Sequence, residues 1–247
     1  MRDFVLGLIM GIANILPGIS GGTIAFVSGR YSEIIKALAS LLKIRISRKE
    51  LWLLIKIAAG ALVSIVVLSK FIDELYQNFP VKTSSFFAGL IAGGLFFLWK
   101  RIEFNLKASL MMAAGALSMM GISLLPRGNF SGSIWLLIGG FIAGGAMILP
   151  GISGSSMLLI LGIYDDAVGA VAKMNFKILT FLGIGAILGI FMISILMKRL
   201  VERWENETIS FLYGLTLTGL FYVVSTSSSI AFLILGFLSM FALERVI

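Results

Sequence analysis

The heptapeptide ILPGISG occurs twice in this chain, at residues 15–21 and 148–154, each time inside an apolar stretch that would otherwise read as a membrane helix. Proline removes a backbone donor and fixes φ, while the glycines free the chain on either side of it, so each copy breaks its helix. In hydrocarbon such a break leaves N–H and C=O groups with no water to bond. It survives only where protein or a water-filled cavity satisfies them. Two breaks at matching places predict two elements that meet around a polar site, the pattern of secondary transporters.

Composition agrees with a membrane setting. Apolar residues make up 59% of the 247 and charged residues 13%, and the mean hydropathy of +1.05 lies far above that of soluble domains. The formal charge of +8 comes from basic residues in short connections beside apolar spans, which suits anionic lipid headgroups rather than nucleic acid. With no Cys and no His, disulfides, thiolate metal sites and the usual general base are excluded. No cofactor or metal is expected, and any chemistry must use carboxylates, hydroxyls, amines or guanidinium groups. The apolar N-terminal run is similar to a signal peptide, but its partner at 133–149 lies mid-chain, so it is read as mature structure.

Six spans are predicted, at 51–69, 84–99, 108–125, 178–197, 208–224 and 229–243, of lengths adequate for a bilayer core. The regions 4–29 and 133–163, each holding one break, are either broken spanning helices or re-entrant hairpins. Basic residues decide between these. With both regions re-entrant, one side receives Arg2, the six basic residues from Arg30 to Lys49, Lys100, Arg101, Lys107, Lys198, Arg199, Arg203 and Arg245. The other receives only Lys70, Lys82, Arg127, Lys173 and Lys177. Fourteen against five is a positive-inside bias that places both termini in the cytoplasm of a multi-pass plasma-membrane protein.

The repeat extends beyond the break. At an offset of 133, Gly11, Ala13, Gly29 and Tyr31 meet identical residues at Gly144, Ala146, Gly162 and Tyr164. At an offset of 125, SFFAGLIAGGLF (85–96) meets SFLYGLTLTGLF (210–221) with seven of twelve identical. This is an internal duplication. The expected fold is an all-α integral membrane protein of two inverted-topology repeats, 1–126 and 127–247, each a re-entrant helical hairpin plus three transmembrane helices. An odd number of crossings inserts the second copy upside down. Gly89, Gly93 and Gly94 in one unit, with Gly183, Gly185 and Gly189 in the other, suit close helix contacts.

A hairpin tip puts the start of its second half-helix inside the membrane, with N–H groups and the positive end of the dipole facing the centre, an arrangement suited to an anionic headgroup. The candidate binding residues are Pro17, Gly18, Ser20, Gly21, Gly22 and Thr23 in one tip, and Pro150, Gly151, Ser153, Gly154, Ser155 and Ser156 in the other. Hydroxyls add donors and glycines let phosphate oxygens approach the backbone. The plainer alternative is that PGISG only turns the hairpin and Ser20 and Ser153 cap the next helix; both can hold together. Lys56, inside a span, either snorkels or lines the cavity. Arg30 is a bidentate phosphate ligand or an interfacial anchor. Glu33 and Asp166, two residues after Tyr31 and Tyr164, are candidates for proton or sodium coupling, or solvated helix-start residues. Asn14 can bond the broken backbone, whereas its counterpart Met147 cannot. Ser47 and Glu50 form a capping box, and the amphipathic stretch before them, 33–47, is expected along the cytoplasmic interface.

The paired motifs, LPGISGGTIAF (16–26) and LPGISGSSMLLILGIY (149–164), resemble those of the PopT polyprenyl-phosphate transporter family, formerly a domain of unknown function. The resemblance spans nearly the whole chain, and the hairpin-plus-helices layout is similar to DedA-type transporters. It implies a carrier, not an enzyme, that returns undecaprenyl phosphate or a related lipid from the outer to the cytoplasmic leaflet for envelope glycan synthesis. The alternatives from the residues alone are a transporter of a small soluble anion and, ranked last because His is absent, a membrane lipid phosphatase.

Overall fold

A computed structural model of the protein describes residues 1–15, 19–41, 46–128, 132–224 and 229–246. All regular structure among them is helical. Both copies of ILPGISG do interrupt a helix: α1 (Arg2–Ile15) gives way to the short α2 (Gly21–Val27), and α8 (Ser133–Ile148) to the short α9 (Gly154–Leu161). In each case the two helices pack on one another as a hairpin. Pro17 and Gly18 of the candidate site, and Lys43 and Arg45 of the basic segment, lie outside the described residues.

Each hairpin is followed by a short helix, α3 (Tyr31–Leu41) or α10 (Tyr164–Ala172), and then by long ones. The first set is α4 (Arg48–Val63), which runs through a π-helical turn (Ser64–Leu68) into α5 (Ser69–Asn78), then α6 (Pro80–Trp99) and α7 (Leu106–Ser123). The second is α11 (Phe176–Arg203), α12 (Glu205–Val223) and α13 (Ile230–Val246). Four of these elements are long and apolar enough to cross a membrane: Arg48–Leu68, α6, α7 and α11. The remaining expected spans, 208–224 and 229–243, correspond to α12 and α13, of 19 and 17 residues. α4 starts where Ser47 predicts: its Oγ accepts from the Glu50 amide at 3.2 Å and the Glu50 carboxylate accepts from the Ser47 amide at 2.8 Å.

Large apolar side chains face outward along α4, α7, α11 and α13; Leu62, Leu117, Met192 and Leu238 are all more than half exposed. Such a surface is costly in water and suits lipid. The core is centred instead on α2, where Ile24, Ala25, Phe26 and Val27 are each no more than 2% exposed. The amphipathic segment before Ser47 is helical as α3 up to Leu41, and this part turns Ile34, Ile35 and Ala37 inward, against α11, α4 and α2.

Four helix pairs carry most of the packing: α1 with α4, α8 with α11, α6 with α13, and α7 with α12. Lipid gives no hydrophobic drive for helix association, so close backbone approach through small residues must supply it. Each pair is built that way, with glycines from both partners facing the opposite backbone. A Cβ at Gly89 would overlap the Leu233 carbonyl, and one at Gly236 the Phe86 carbonyl. Gly115 and Gly214 stand likewise against Phe211 and Met112. Of the six glycines expected at such contacts, Gly89 and Gly93 face α13, Gly94 faces Val27 of α2, and Gly185 and Gly189 face α8. Gly183 is the correction: nothing lies within 4 Å of its Cβ position, because its side of α11 points away from α8.

Gly214→Val must push α7 and α12 apart, an overpacking cost of about 1–3 kcal/mol. Its thermal midpoint in detergent should fall by about 2–10 °C, while Gly183→Val stays at the parent value. Equal midpoints for the two variants would contradict this account of the packing.

Candidate functional site at the hairpin tips

In the first tip Ser20 is the N-cap of α2. Its Oγ accepts from the Thr23 amide at 3.2 Å and lies 3.0 Å from Thr23 Oγ1. The amide of Gly21 donates to Asn14 Oδ1 at 2.7 Å. An amide freed by the break is thus taken up by a side chain of the preceding helix, which sequence position alone made Asn14 able to do. Ser20 and Thr23 are 1% and 2% exposed, so their hydroxyls are sealed in the core, while Asn14 stands exposed at the edge of the tip.

The second tip repeats the cap and lacks the seal. Ser153 Oγ accepts from the Ser156 amide at 3.2 Å and lies 2.6 Å from Ser156 Oγ and 3.2 Å from Ser155 Oγ. Met147 stands where Asn14 stands in the first unit and offers no oxygen; the Gly154 amide has no oxygen partner among the described residues. Gly151 turns the chain at φ +85°, a left-handed conformation that side chains avoid. It is wedged against α12, where a Cβ would come within 2.8 Å of the Leu215 carbonyl and where Gly219 leaves room for the Gly151 carbonyl.

The two tips touch. The buried amide of Gly151 donates to Thr23 Oγ1 at 3.0 Å, and Gly22 packs against the carbonyls of Met147 and Ile148, with a Cβ there 2.5 Å from the first. Two cavities border this junction. One of about 280 Å³ lies between the tips and α8 and α11, lined by Asn14, Ser20, Ser153, Gly154 and Ser155. The other, about 400 Å³, reaches Gly151, Ser153 and Ser156 from the C-terminal ends of α7 and α12, with Tyr76, Ser84 and Ser123 as further polar lining. Met119, Ile122, Met157 and Ile160 form apolar walls of the second cavity. Ser153 borders both, and among the described residues neither is lined by a charged side chain.

The structure therefore brings Ser20, Gly21, Gly22 and Thr23 together with Pro150, Gly151, Ser153, Gly154, Ser155 and Ser156. It does not bring the charged candidates there. Arg30 is held by Asp3 at 3.0 Å and by Glu33 at 2.7 Å, and Lys56 Nζ lies 3.6 Å from Asp3. Burial alone would lower the Arg30 pKa, but the hydrogen bonds and charges of Glu33 and Asp3 outweigh it and raise the pKa above its usual value. Asp3 opens α1 while the tip closes it, and the eleven residue steps from Asp3 to Asn14 span about 16 Å of helix. Asp166 is exposed in the first turn of α10, away from either cavity. Tyr76, Ser84 and Ser123 escaped sequence reasoning because they sit on separate helices with no motif around them. Gly219 carried a signal, since it aligns with Gly94 in the duplicated segment.

Thr23→Val removes the acceptor of the Gly151 amide while keeping the shape. Stranding a buried donor costs about 1–3 kcal/mol, so Thr23→Val should unfold at lower temperature than the parent, and Thr23→Ser close to it. Calorimetry of the three proteins in one detergent checks this.

Residues 10–235 match the family described as VCA0040-like, undecaprenyl phosphate translocase-like. A relative from Vibrio cholerae serotype O1, named a polyprenyl-phosphate transporter, is 36% identical over 234 residues, 88% of this chain and 75% of the relative. A Staphylococcus aureus protein of the same name is 31% identical over 276 aligned positions, 99% of this chain and 96% of the relative. No solved structure matches the chain.

Proposed function

Because the chain belongs to the undecaprenyl phosphate translocase-like family, a family of transporters rather than enzymes, we propose that it carries a polyprenyl phosphate from the outer to the cytoplasmic leaflet. Its headgroup is held at the second hairpin tip. The observation that supports the site most is the position of Ser153, shared by two cavities whose described lining holds no charged side chain, and flanked by apolar walls. A phosphate there meets the serine hydroxyls, the Gly154 amide and the positive end of the α9 dipole, which together replace its hydration. The absence of a cation among the described lining residues suits a carrier, which must release what it binds. The isoprenoid tail can leave between helices into lipid, past Met119, Ile122 and Ile160. The first tip, capped internally by Asn14, supports the second through Thr23.

The same reading makes both hairpins re-entrant and the halves inverted repeats. The packing pairs support it: α1 with α4 corresponds to α8 with α11, and α6 with α13 corresponds to α12 with α7. Both termini are then cytoplasmic, in the plasma membrane, with anionic lipid at the basic segments. Glu33 and Asp166, at corresponding hairpin exits, are the groups proposed for proton or sodium coupling; Arg30 and Lys56 are assigned to anchoring the first hairpin through Asp3 instead of to phosphate.

Movement of a polyprenyl phosphate across vesicles holding the purified protein, with and without a pH gradient, tests the proposal. Ser153→Ala removes a hydrogen bond to a charged group, worth about 1.5–3 kcal/mol, and should lower apparent affinity roughly ten- to a hundredfold. Gly154→Val, whose Cβ position is 2.8 Å from the Ala143 carbonyl, should be worse. Parent-like transport by a correctly inserted Ser153→Ala protein would remove the tip as the binding site, and failure of the parent to move the lipid would remove the function.

A further inference from the structure

A third cavity, of about 410 Å³, lies at the other end of the α6–α12 pair, where α6 ends and α12 begins. Its lining includes Gly29, Tyr31, Ser32, Arg101, Glu103 and Glu205. Three features make it more than a surface dent. Tyr31 is 4% exposed, and its hydroxyl is a buried polar atom with no hydrogen-bond partner, a condition native proteins rarely leave uncompensated. The Arg101 guanidinium lies over Gly29, which turns at φ +72° and whose Cβ position is 2.9 Å from Nη1. Arg101 makes no ion pair with a described residue. Tyr31 and Arg101 thus line one cavity, the first with a buried phenol that lacks a partner and the second with an exposed guanidinium that makes no ion pair with a described residue, a pairing complementary to a phosphate.

The location gives this pairing a role. Leu98 and Ile209 line this cavity, and their equivalents at the 125-residue offset, Val223 and Ser84, line the cavity that reaches Ser153. Ser84 and Leu98 are fourteen residues apart on α6, about 21 Å of helix, so the two cavities open at opposite ends of the same helices. Between this cavity and the first tip stand Phe26 and Leu98, at 2% and 5% exposure, with Phe26 edge-on to Tyr31 at 5.8 Å. The second tip thus borders a cavity toward its own end, while buried side chains of α2 and α6 line the cavity at the opposite end.

We propose that the Tyr31–Arg101 cavity is a second phosphate-headgroup station, at the opposite membrane face from the Ser153 cavity, which receives the phosphate of a lipid. As a station on the transport path it rests on the carrier reading above; as a phosphate site it stands on its own geometry. Tyr31 and Arg101 donate to the phosphate oxygens. Burial pushes the Tyr31 phenol above its usual pKa, so it acts as a neutral donor throughout the physiological range. Glu103 and Glu205, on the same cavity without pairing to Arg101, repel the anion and keep the station weak, as an exit must be. The shared ligand chemistry is a lipid phosphate, supplied by the transported polyprenyl phosphate or by a resident phospholipid.

Tyr31→Phe, Arg101→Gln and the Glu103→Gln/Glu205→Gln pair separate these outcomes. Each protein is titrated in detergent with polyprenyl phosphate and with phosphatidylglycerol by native mass spectrometry, then assayed in vesicles for polyprenyl-phosphate movement beside the parent. Tyr31→Phe should be at least as heat-stable as the parent, since it deletes an unpartnered hydroxyl, yet bind the phosphate lipid several-fold more weakly. Arg101→Gln should lose about tenfold, and the glutamate pair should gain several-fold. If polyprenyl-phosphate transport falls with binding, the station lies on the transport path. If phosphatidylglycerol binding is lost and transport keeps the parent rate, the phosphate site stands but its occupant is a resident lipid. Parent-like binding of both lipids by Tyr31→Phe and Arg101→Gln overturns the inference. A parent that moves no polyprenyl phosphate defeats the carrier reading, while Arg101-dependent phospholipid binding would still establish the site.

Discussion

An interrupted helix in hydrocarbon has to find partners for the backbone groups it releases, and the centre of this protein is arranged around that demand. Ser20 and Ser153 each take an amide of the helix they open. Asn14 reaches across its hairpin to the Gly21 amide. Thr23 then takes the Gly151 amide from the other half of the chain, a bond that spans 128 residues of sequence and ties the two tips into one unit. A break of this kind leaves each hairpin dependent on the other, and the glycines at 22, 151 and 219 permit the backbones to come that close.

Identical heptapeptides end in unlike surroundings. The first tip is filled by its own neighbours, with α2 almost wholly buried and Asn14 occupying the position from which an anion would approach. The second tip has Met147 at that position, exposes Ser155, and borders two cavities. One tip is thus a keystone and the other has room for a ligand. The capped backbone geometry is shared by the two tips, and the nearby side chains make the difference between them.

The periphery follows from the solvent. Outward apolar side chains on α4, α7, α11 and α13 gain nothing from one another in lipid, so helix pairs are closed by glycine faces at backbone contact. One cluster of charges gathers near the start of the first hairpin. Asp3, Arg30, Glu33 and Lys56 join the start of α1 to α3 and α4, fixing the outer end of the first hairpin some distance from its tip. The cavities beside the tips are lined, among the described residues, by hydroxyls, amides and apolar side chains without a charged group.

Much of this was legible in the chain itself. Breaking two apolar helices at ILPGISG is a local consequence of proline and glycine chemistry, and the capping box at Ser47 and the reach of Asn14 depend on neighbours close in sequence. Helix positions followed from runs of apolar residues, which report solvent directly. What only the tertiary structure decided was which groups meet. Arg30 and Lys56 look like phosphate ligands until Asp3, 27 residues from Arg30, is found holding both. Gly183 has the spacing of a contact residue but lies on the wrong side of α11, and Tyr76, Ser84 and Ser123 enter a cavity with Ser153 from three separate helices. Local backbone preference is written in adjacent residues, whereas the pairing of charges and the lining of cavities depend on how distant helices pack.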